Sequence, residues 1–294
     1  MTVRANGNGL AWGFSTLGCP EYSLAQACEL LNEFSMSNLE IRALDGRMDL
    51  PQWAVDSNWP PNRAKALLQK HAVQFRVAGS SFKLVENDER SRAEMLSFCQ
   101  WANSWGAQYV RTFGGGEWGR PLTEAEYDHA ARSISWWRQK KKERGWRVDL
   151  VLETHDAFSA SSPCLNLFAR LRQPIGVIWD SHHTWRVGGE PLRETWSKLS
   201  HCLRHVHIKD SIAKPSARHP FTYVLPGDGD VPLSEIIDLL REHTFTGMVS
   251  LEWERLWHPY LPPLRDALMR LQALPYFLGS APSVHEHESS AVPR

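Results

Sequence analysis

Four residues able to bind a hard metal ion stand at the ends of apolar, β-branched stretches in the second half of the chain. Glu153 closes V-D-L-V-L-E, and Asp180 closes I-G-V-I-W-D. His207 lies near the end of H-V-H-I-K-D, and Glu252 closes M-V-S-L-E. A charge on such a stretch is costly unless it is paired or bound to a cation. Three carboxylates brought close together would repel, and a divalent ion resolves that conflict. One imidazole and three oxygen donors suit Mn2+ or Mg2+ better than a structural zinc site, with Co2+ or Zn2+ as alternatives. The plainer reading is a network of helix caps and ion pairs, in which Arg111 on the fourth strand pairs with Glu153. Stoichiometric metal content separates the two.

Further candidates surround these four. His183 follows Asp180 by three positions and His155 follows Glu153 by two, both on loops leaving their strands, where they can face a bound ligand. Lys209 extends past the strand end and can contact a ligand or a neighbouring acid. Glu40, on the second strand, joins this ligand-contact set. His205 shares the face of His207 one layer deeper and reads as a core histidine with its hydrogen bonds satisfied. Of the fourteen tryptophans, most read as core. Trp12 and Trp257 are the two taken as stacking platforms for the apolar face of a sugar.

These side chains can meet only if the strands carrying them lie side by side. Strand-like runs occur at residues 10–15, 38–42, 74–79, 108–113, 148–153, 175–180, 204–209 and 248–252. Between them lie helical segments at 61–71, 88–105, 123–144, 162–172, 192–199, 232–243 and 261–274, and another opening at Ser23. Ser23 with Gln26, and Thr123 with Glu126, have the spacing of capping boxes. Eight strand-then-helix units predict a parallel sheet closed into a (β/α)8 TIM barrel, α/β in class, whose C-terminal rim collects the strand ends. An open doubly wound sheet is the competing architecture, but the chain has no G-x-G-x-x-G turn, P-loop or G-x-S-x-G elbow. Residues 1–278 are expected to form one barrel domain, and 279–294 a frayed tail. The stretch 212–230 reads as a long loop in which G-D-G-D at 227–230 is a turn.

Composition narrows the class. The 294 residues are 42% hydrophobic and 22% charged, enough to bury a large core, and carry 33 basic and 33 acidic side chains. That balance argues against a dedicated nucleic-acid binder. The basic run R-Q-K-K-K-E-R at 138–144 ends a helix, where cations suit the macrodipole. Five scattered cysteines without a C-x-x-C pair fit a reducing compartment. With no membrane-length apolar run and no signal-peptide pattern, the expectation is a soluble cytoplasmic protein.

On these residues the sequence resembles the xylose isomerase-like barrel superfamily, in its sugar-phosphate isomerase/epimerase branch. The stretches carrying the resemblance are L-E-T-H at 152–155, W-D-S-H-H at 179–183, H-V-H-I-K-D at 205–210, and P-G-D-G-D-V from Pro226 leading into V-S-L-E-W-E. It extends over residues 11–274. The resemblance implies Glu153, Asp180, His207 and Glu252 as metal ligands, Glu153 and Glu252 as the acid/base pair, and His183 as a substrate contact. It implies a divalent-metal sugar isomerase or epimerase that abstracts a proton next to a carbonyl. A lyase eliminating a β-substituent is the alternative. The related DNA-repair endonucleases need more rim histidines, and a non-catalytic sugar-binding barrel is a further alternative. The family's 3-epimerases carry an arginine six positions beyond the strand-seven ligand; this chain has Ala213 there, with Arg218 further along the same loop. The expected partner is a small sugar, without nucleic acid or membrane. Pairing of outer helices into a homo-oligomer is left open.

Overall fold

The computed structural model describes residues 9–278; the frayed tail expected at 279–294 lies outside them. In chain order the elements are β1 (Ala11–Ser15), α1 (Leu24–Glu33), β2 (Asn38–Ile41), α2 (Leu50–Asp56), α3 (Pro61–Lys70), β3 (Gln74–Lys83), α4 (Glu89–Trp105), β4 (Tyr109–Phe113) and α5 (Glu124–Arg144). They continue with β5 (Asp149–Glu153), α6 (Ser161–Phe168), β6 (Gly176–Asp180), α7 (Leu192–Leu199), β7 (Leu203–Ile208), β8 (Asp210–Ile212) and β9 (Thr222–Val224). Last come α8 (Leu233–Glu242), β10 (Met248–Leu251), α9 (Leu264–Gln272) and α10 (Pro275–Leu278). Eight parallel strands close into a barrel in the order β1-β10-β7-β6-β5-β4-β3-β2.

Local chemistry sets the helix ends. Both capping boxes form, Ser23 with Gln26 and Thr123 with Glu126. α5 stops at Gly145, which adopts a left-handed φ of 65°, a conformation that costs glycine little. Three expectations are corrected. α6 ends at Phe168, short of residue 172, because Arg170 and Leu171 tighten into i→i−3 hydrogen bonds ahead of Pro174. α2 was not foreseen; its seven residues, capped by Asp49, are too few to show a helical period. The stretch 212–230 is no plain loop, because β8 and β9 pair antiparallel as a separate hairpin. At three residues each, they are too short to show strand alternation.

Strand alternation divides the core in two. Val77, Val151 and Ile178, with Tyr109 against them, form a small apolar plug inside the barrel. Two positions further along the same faces stand Gly79, Glu153, Asp180 and Arg111. Side chains of the opposite parity enter the much larger layer between strands and helices. There Trp53, Trp59, Trp101 and Trp105 pack with ring centroids 5.1–6.4 Å apart. Trp12 belongs to this outer layer, against Phe277 at 4.7 Å, which corrects its assignment as a ligand platform: its neighbour Gly13, not Trp12, has the inward parity. All five cysteines are buried and free. Among the described residues no helix is long and apolar enough to cross a membrane.

Candidate active site

The ends of β5, β6 and β7 and the residue after β10 bring Glu153, Asp180, His207 and Glu252 together. One ligand atom from each lies within 4.8 Å of the other three, and all four side chains are buried. Two internal cations answer the three carboxylates. Arg111 Nη1 donates to Glu153 Oε2 at 2.9 Å and lies 3.7 Å from Glu252. Lys209 Nζ lies 2.5 Å from Glu252, 2.6 Å from Glu254 and 2.7 Å from Asp180. Lys209 was expected to reach past the rim; instead it is buried, because the chain turns from β7 into β8 and folds its ammonium back among the acids.

The electrostatics follow from this packing. Burial is the largest influence on Glu153 and opposes its charge, but Arg111 and His207 together outweigh it and hold the carboxyl at about 2. Glu252 is likewise held well below the carboxylate range, against burial, by His207 and Lys209. Asp180 goes the other way: burial, reinforced by Glu252 and Glu153, pushes it up to about 6 despite Lys209. Burial disfavours a charged His207, yet Glu252 and Glu40 keep its imidazole well above its ordinary value.

Glu40 stands beneath the rim rather than at a ligand-facing position. Its Oε2 lies 2.8 Å from His207 Nε2. Where Glu40 accepts from Nε2–H, Nδ1 is the nitrogen that faces Glu252 at 3.3 Å and Glu153 at 3.6 Å. His205 is buried as expected, but not satisfied: neither ring nitrogen has a hydrogen-bond partner among the described residues, the nearest acid being Glu40 at 3.8 Å.

Above this cluster opens a cavity of about 310 Å³, whose walls include Glu153, Glu252, Arg111, His155 and Trp257. His155 is fixed by Asp156 at 2.8 Å and packs between Phe113, tilted, and His183, edge-on, each at 4.6 Å. His183 Nδ1 sits 3.1 Å from Asp180, which also accepts from the His183 backbone. Burial and the nearby Lys209 hold His183 well below its ordinary value, so its ring is neutral. A wider groove between α2, the end of β3 and α4 meets this cavity at Arg42 but holds none of the clustered carboxylates.

Several residues of the site were not singled out from sequence. Glu254 lines the cavity and accepts from Lys209 and from the Tyr223 hydroxyl at 2.8 Å; its signal was the same-face spacing to Glu252. His182 bonds Ser211 at 2.8 Å and packs against Phe221 and Tyr223 of the hairpin. Arg42, His219 and His258 also line the cavity. The hairpin is clamped by Asp210, whose carboxylate accepts from the backbone of Gly227, Gly229 and Val231. A Cβ at residue 229 would come 2.1 Å from Asp210 Oδ1, so the G-D-G-D turn wraps an acid that only glycine lets it approach. Arg218, on this hairpin, reaches the cavity with its guanidinium 5.9 Å over Trp257.

The donor set fits a divalent ion. His207 Nδ1 and Asp180 Oδ2 are buried without a hydrogen bond among the described residues, although Lys209 lies within ion-pair distance of the latter. Three carboxylates, and an imidazole whose second nitrogen is held by Glu40, are donors of the kind a hard divalent ion takes.

Comparison with known proteins bears on the barrel as a whole. Residues 19–274 match the family described as xylose isomerase-like TIM barrel. A fructoselysine 3-epimerase from Escherichia coli O157:H7 is 28% identical over 134 residues, 43% of this chain, and the match spans 46% of that relative's length. The probable 3-DHS dehydratase AsbF from Bacillus anthracis superposes with a TM-score of 0.72 at 17% identity, covering 90% of this chain and 99% of its own. The IOLI protein with a bound zinc atom superposes at 0.69, also 17% identical, covering 89% and 95%.

Proposed function

The chain belongs to the xylose isomerase-like TIM barrel family, and on that premise we propose that it is a divalent-metal-dependent isomerase or epimerase of a keto-sugar or inosose. The observation that carries this reading is the convergence of Glu153, Asp180, His207 and Glu252 within 4.8 Å, with Glu153 and Glu252 lining one cavity. When bound by those four residues, the ion would supply Lewis-acid polarisation of a carbonyl and its adjacent hydroxyl. Manganese or magnesium suits the oxygen-rich set, and the zinc of a structural neighbour keeps zinc open.

Glu153 and Glu252 both face the cavity and are held ionised, so each stands in its base form at neutral pH. Their depressed affinity for protons makes them weak bases, and the reaction therefore depends on acidifying the carbon next to the carbonyl. One carboxylate takes that proton. The other, once it has taken up a proton from solvent, delivers it to the opposite face, giving an epimer, or to the neighbouring carbon, giving an isomer. The first acid releases its proton to solvent. Arg111 and Lys209 hold the two acids in place, His155 and His183 offer ring nitrogens to hydroxyl groups, and Trp257 covers an apolar sugar face.

A second reading, elimination of a β-substituent from the same enediolate, is favoured by Ala213 at the position of the 3-epimerase arginine and by the dehydratase among the structural neighbours. One experiment covers both. Keto-sugars and inososes, with Mn2+ or Mg2+ added, are screened by NMR for entry of solvent deuterium. Exchange is expected for at least one compound and is abolished in Glu153→Gln, which retains ligand binding. Turnover of that compound at wild-type rate by Glu153→Gln would remove Glu153 from the mechanism.

A further inference from the structure

One cation of the site makes no ion pair among the described residues. Arg42 follows β2 directly, its backbone N–H held by Thr16 Oγ1 at 2.9 Å. Its side chain is buried, with 7% exposed. The side chain crosses Gly79: a Cβ at that residue would come 2.9 Å from Arg42 Cδ and 3.5 Å from Arg111 Nη2. Gly79 thus opens the space in which two arginines lie together. Arg111 is neutralised by Glu153. Arg42 bonds only the Ser81 hydroxyl through its side chain, at 2.7 Å, and makes no ion pair among the described residues. Burial, with Arg111 next to it, pulls its guanidinium down to about 10 against the longer-range attraction of Glu40, Glu153 and Glu252. Across the cavity mouth, Arg218 is exposed over Trp257, also without an acidic partner among the described residues.

A buried charge without a partner is costly. Arg111 and Lys209, in the same site, are each answered by carboxylates, so the missing partner is specific to Arg42. Both Arg42 and Arg218 line the cavity that Glu153 and Glu252 face. A ligand carrying its own negative charge would supply what the fold leaves out, and the planar guanidinium fork matches a carboxylate or phosphate.

We propose that the substrate is anionic: a polyhydroxylated keto compound bearing a carboxylate or phosphate group, bound by Arg42 from within and by Arg218 from the mouth. This rests on the keto-sugar reading above for the rest of the ligand. A neutral keto-sugar would leave Arg42 buried and without a direct ion pair in the complex.

Three unreactive probes of matched length test it by calorimetry on the full chain, with and without Mg2+: D-glucitol, D-gluconate and D-glucitol 6-phosphate. One anionic probe should bind about tenfold or more tighter than glucitol, and which one identifies the group. That preference should shrink as salt rises. It should collapse in Arg42→Gln and weaken in Arg218→Gln, with glucitol affinity unmoved. If Arg42→Gln fails to fold, Arg42→Lys, which keeps the charge but loses the fork, and Arg218→Gln carry the same comparison. Equal affinity for all three probes, no binding of either anion, or a preference surviving in both arginine variants overturns the proposal. Because binding is read without turnover, the two readings fail separately. Deuterium exchange confined to neutral ketoses would remove the anion and keep the isomerase; tight anion binding without exchange in any keto compound would do the reverse.

Discussion

Glu40 shows how a residue can matter to a site it does not face. It stands on β2, below the rim, and its carboxylate fixes which nitrogen of His207 is open to the cavity floor. Partners of this kind set ring orientation and basicity of a metal-ligating histidine. Glu40→Gln keeps the shape and removes the charge, so divalent-ion affinity should fall about 10–100-fold, measured by competition with a chelating dye. Unchanged affinity would mean that His207 is oriented by its strand alone. Glu153 and Glu252 differ from Glu40 in facing the cavity, which is why the proposed proton transfers fall to them. At neighbouring positions the burial cost of each charge is met from within the site, by Arg111 or by Lys209, and Arg42 stands out against that pattern.

At the scale of elements, the helices are held by terminal chemistry independent of the site. Glu126 closes the capping box of α5 and also receives both Nη groups of Arg120, at 3.1 and 2.5 Å. Arg120, with the backbone of Thr123, lowers its carboxyl from 4.5 to about 2. A carboxylate whose affinity for protons is lower in the fold contributes stability above its unfolded value and loses it as pH falls toward the folded one. Between pH 4.5 and 2 the melting temperature of the native chain should therefore drop more steeply than that of Glu126→Gln. Parallel curves in thermal denaturation followed by circular dichroism would show that the cap contributes nothing measurable. The β8–β9 hairpin is the opposite kind of element. It has little local propensity and exists because Asp210 gathers the backbone of residues 227–231 and because Tyr223 and Phe221 pack on His182.

The whole molecule is a barrel whose interior is apolar at mid-height and ionic at the C-terminal rim, wrapped in an aromatic-rich helical layer. Burial pushes the thiols of Cys28 and Cys99 up to about 12 and Cys202 up to about 11, and those of Cys19 and Cys164 higher still. Inaccessible thiols that resist ionisation are inert. An aromatic disulfide reagent should modify none of the five within minutes in the native protein and all five in guanidinium chloride. Rapid reaction of any one in the native state would place it at the surface and contradict this packing.

The strand-helix alternation was legible in the sequence because most strands are short apolar runs and α1, α4 and α5 open on side-chain caps. So were the four rim residues, since a charge at the end of an apolar strand is conspicuous on its own. What tertiary structure alone decided was the partnering of those charges. Strand closure folded Lys209 inward, placed Glu40 under His207, left His205 without a hydrogen-bond partner among the described residues, turned Trp12 outward against Phe277, and set Arg42 beside Arg111 over Gly79. Each depends on contacts between residues tens to hundreds of positions apart. Local patterning reports which way a side chain points along its own strand, but not what waits on the other side of the barrel.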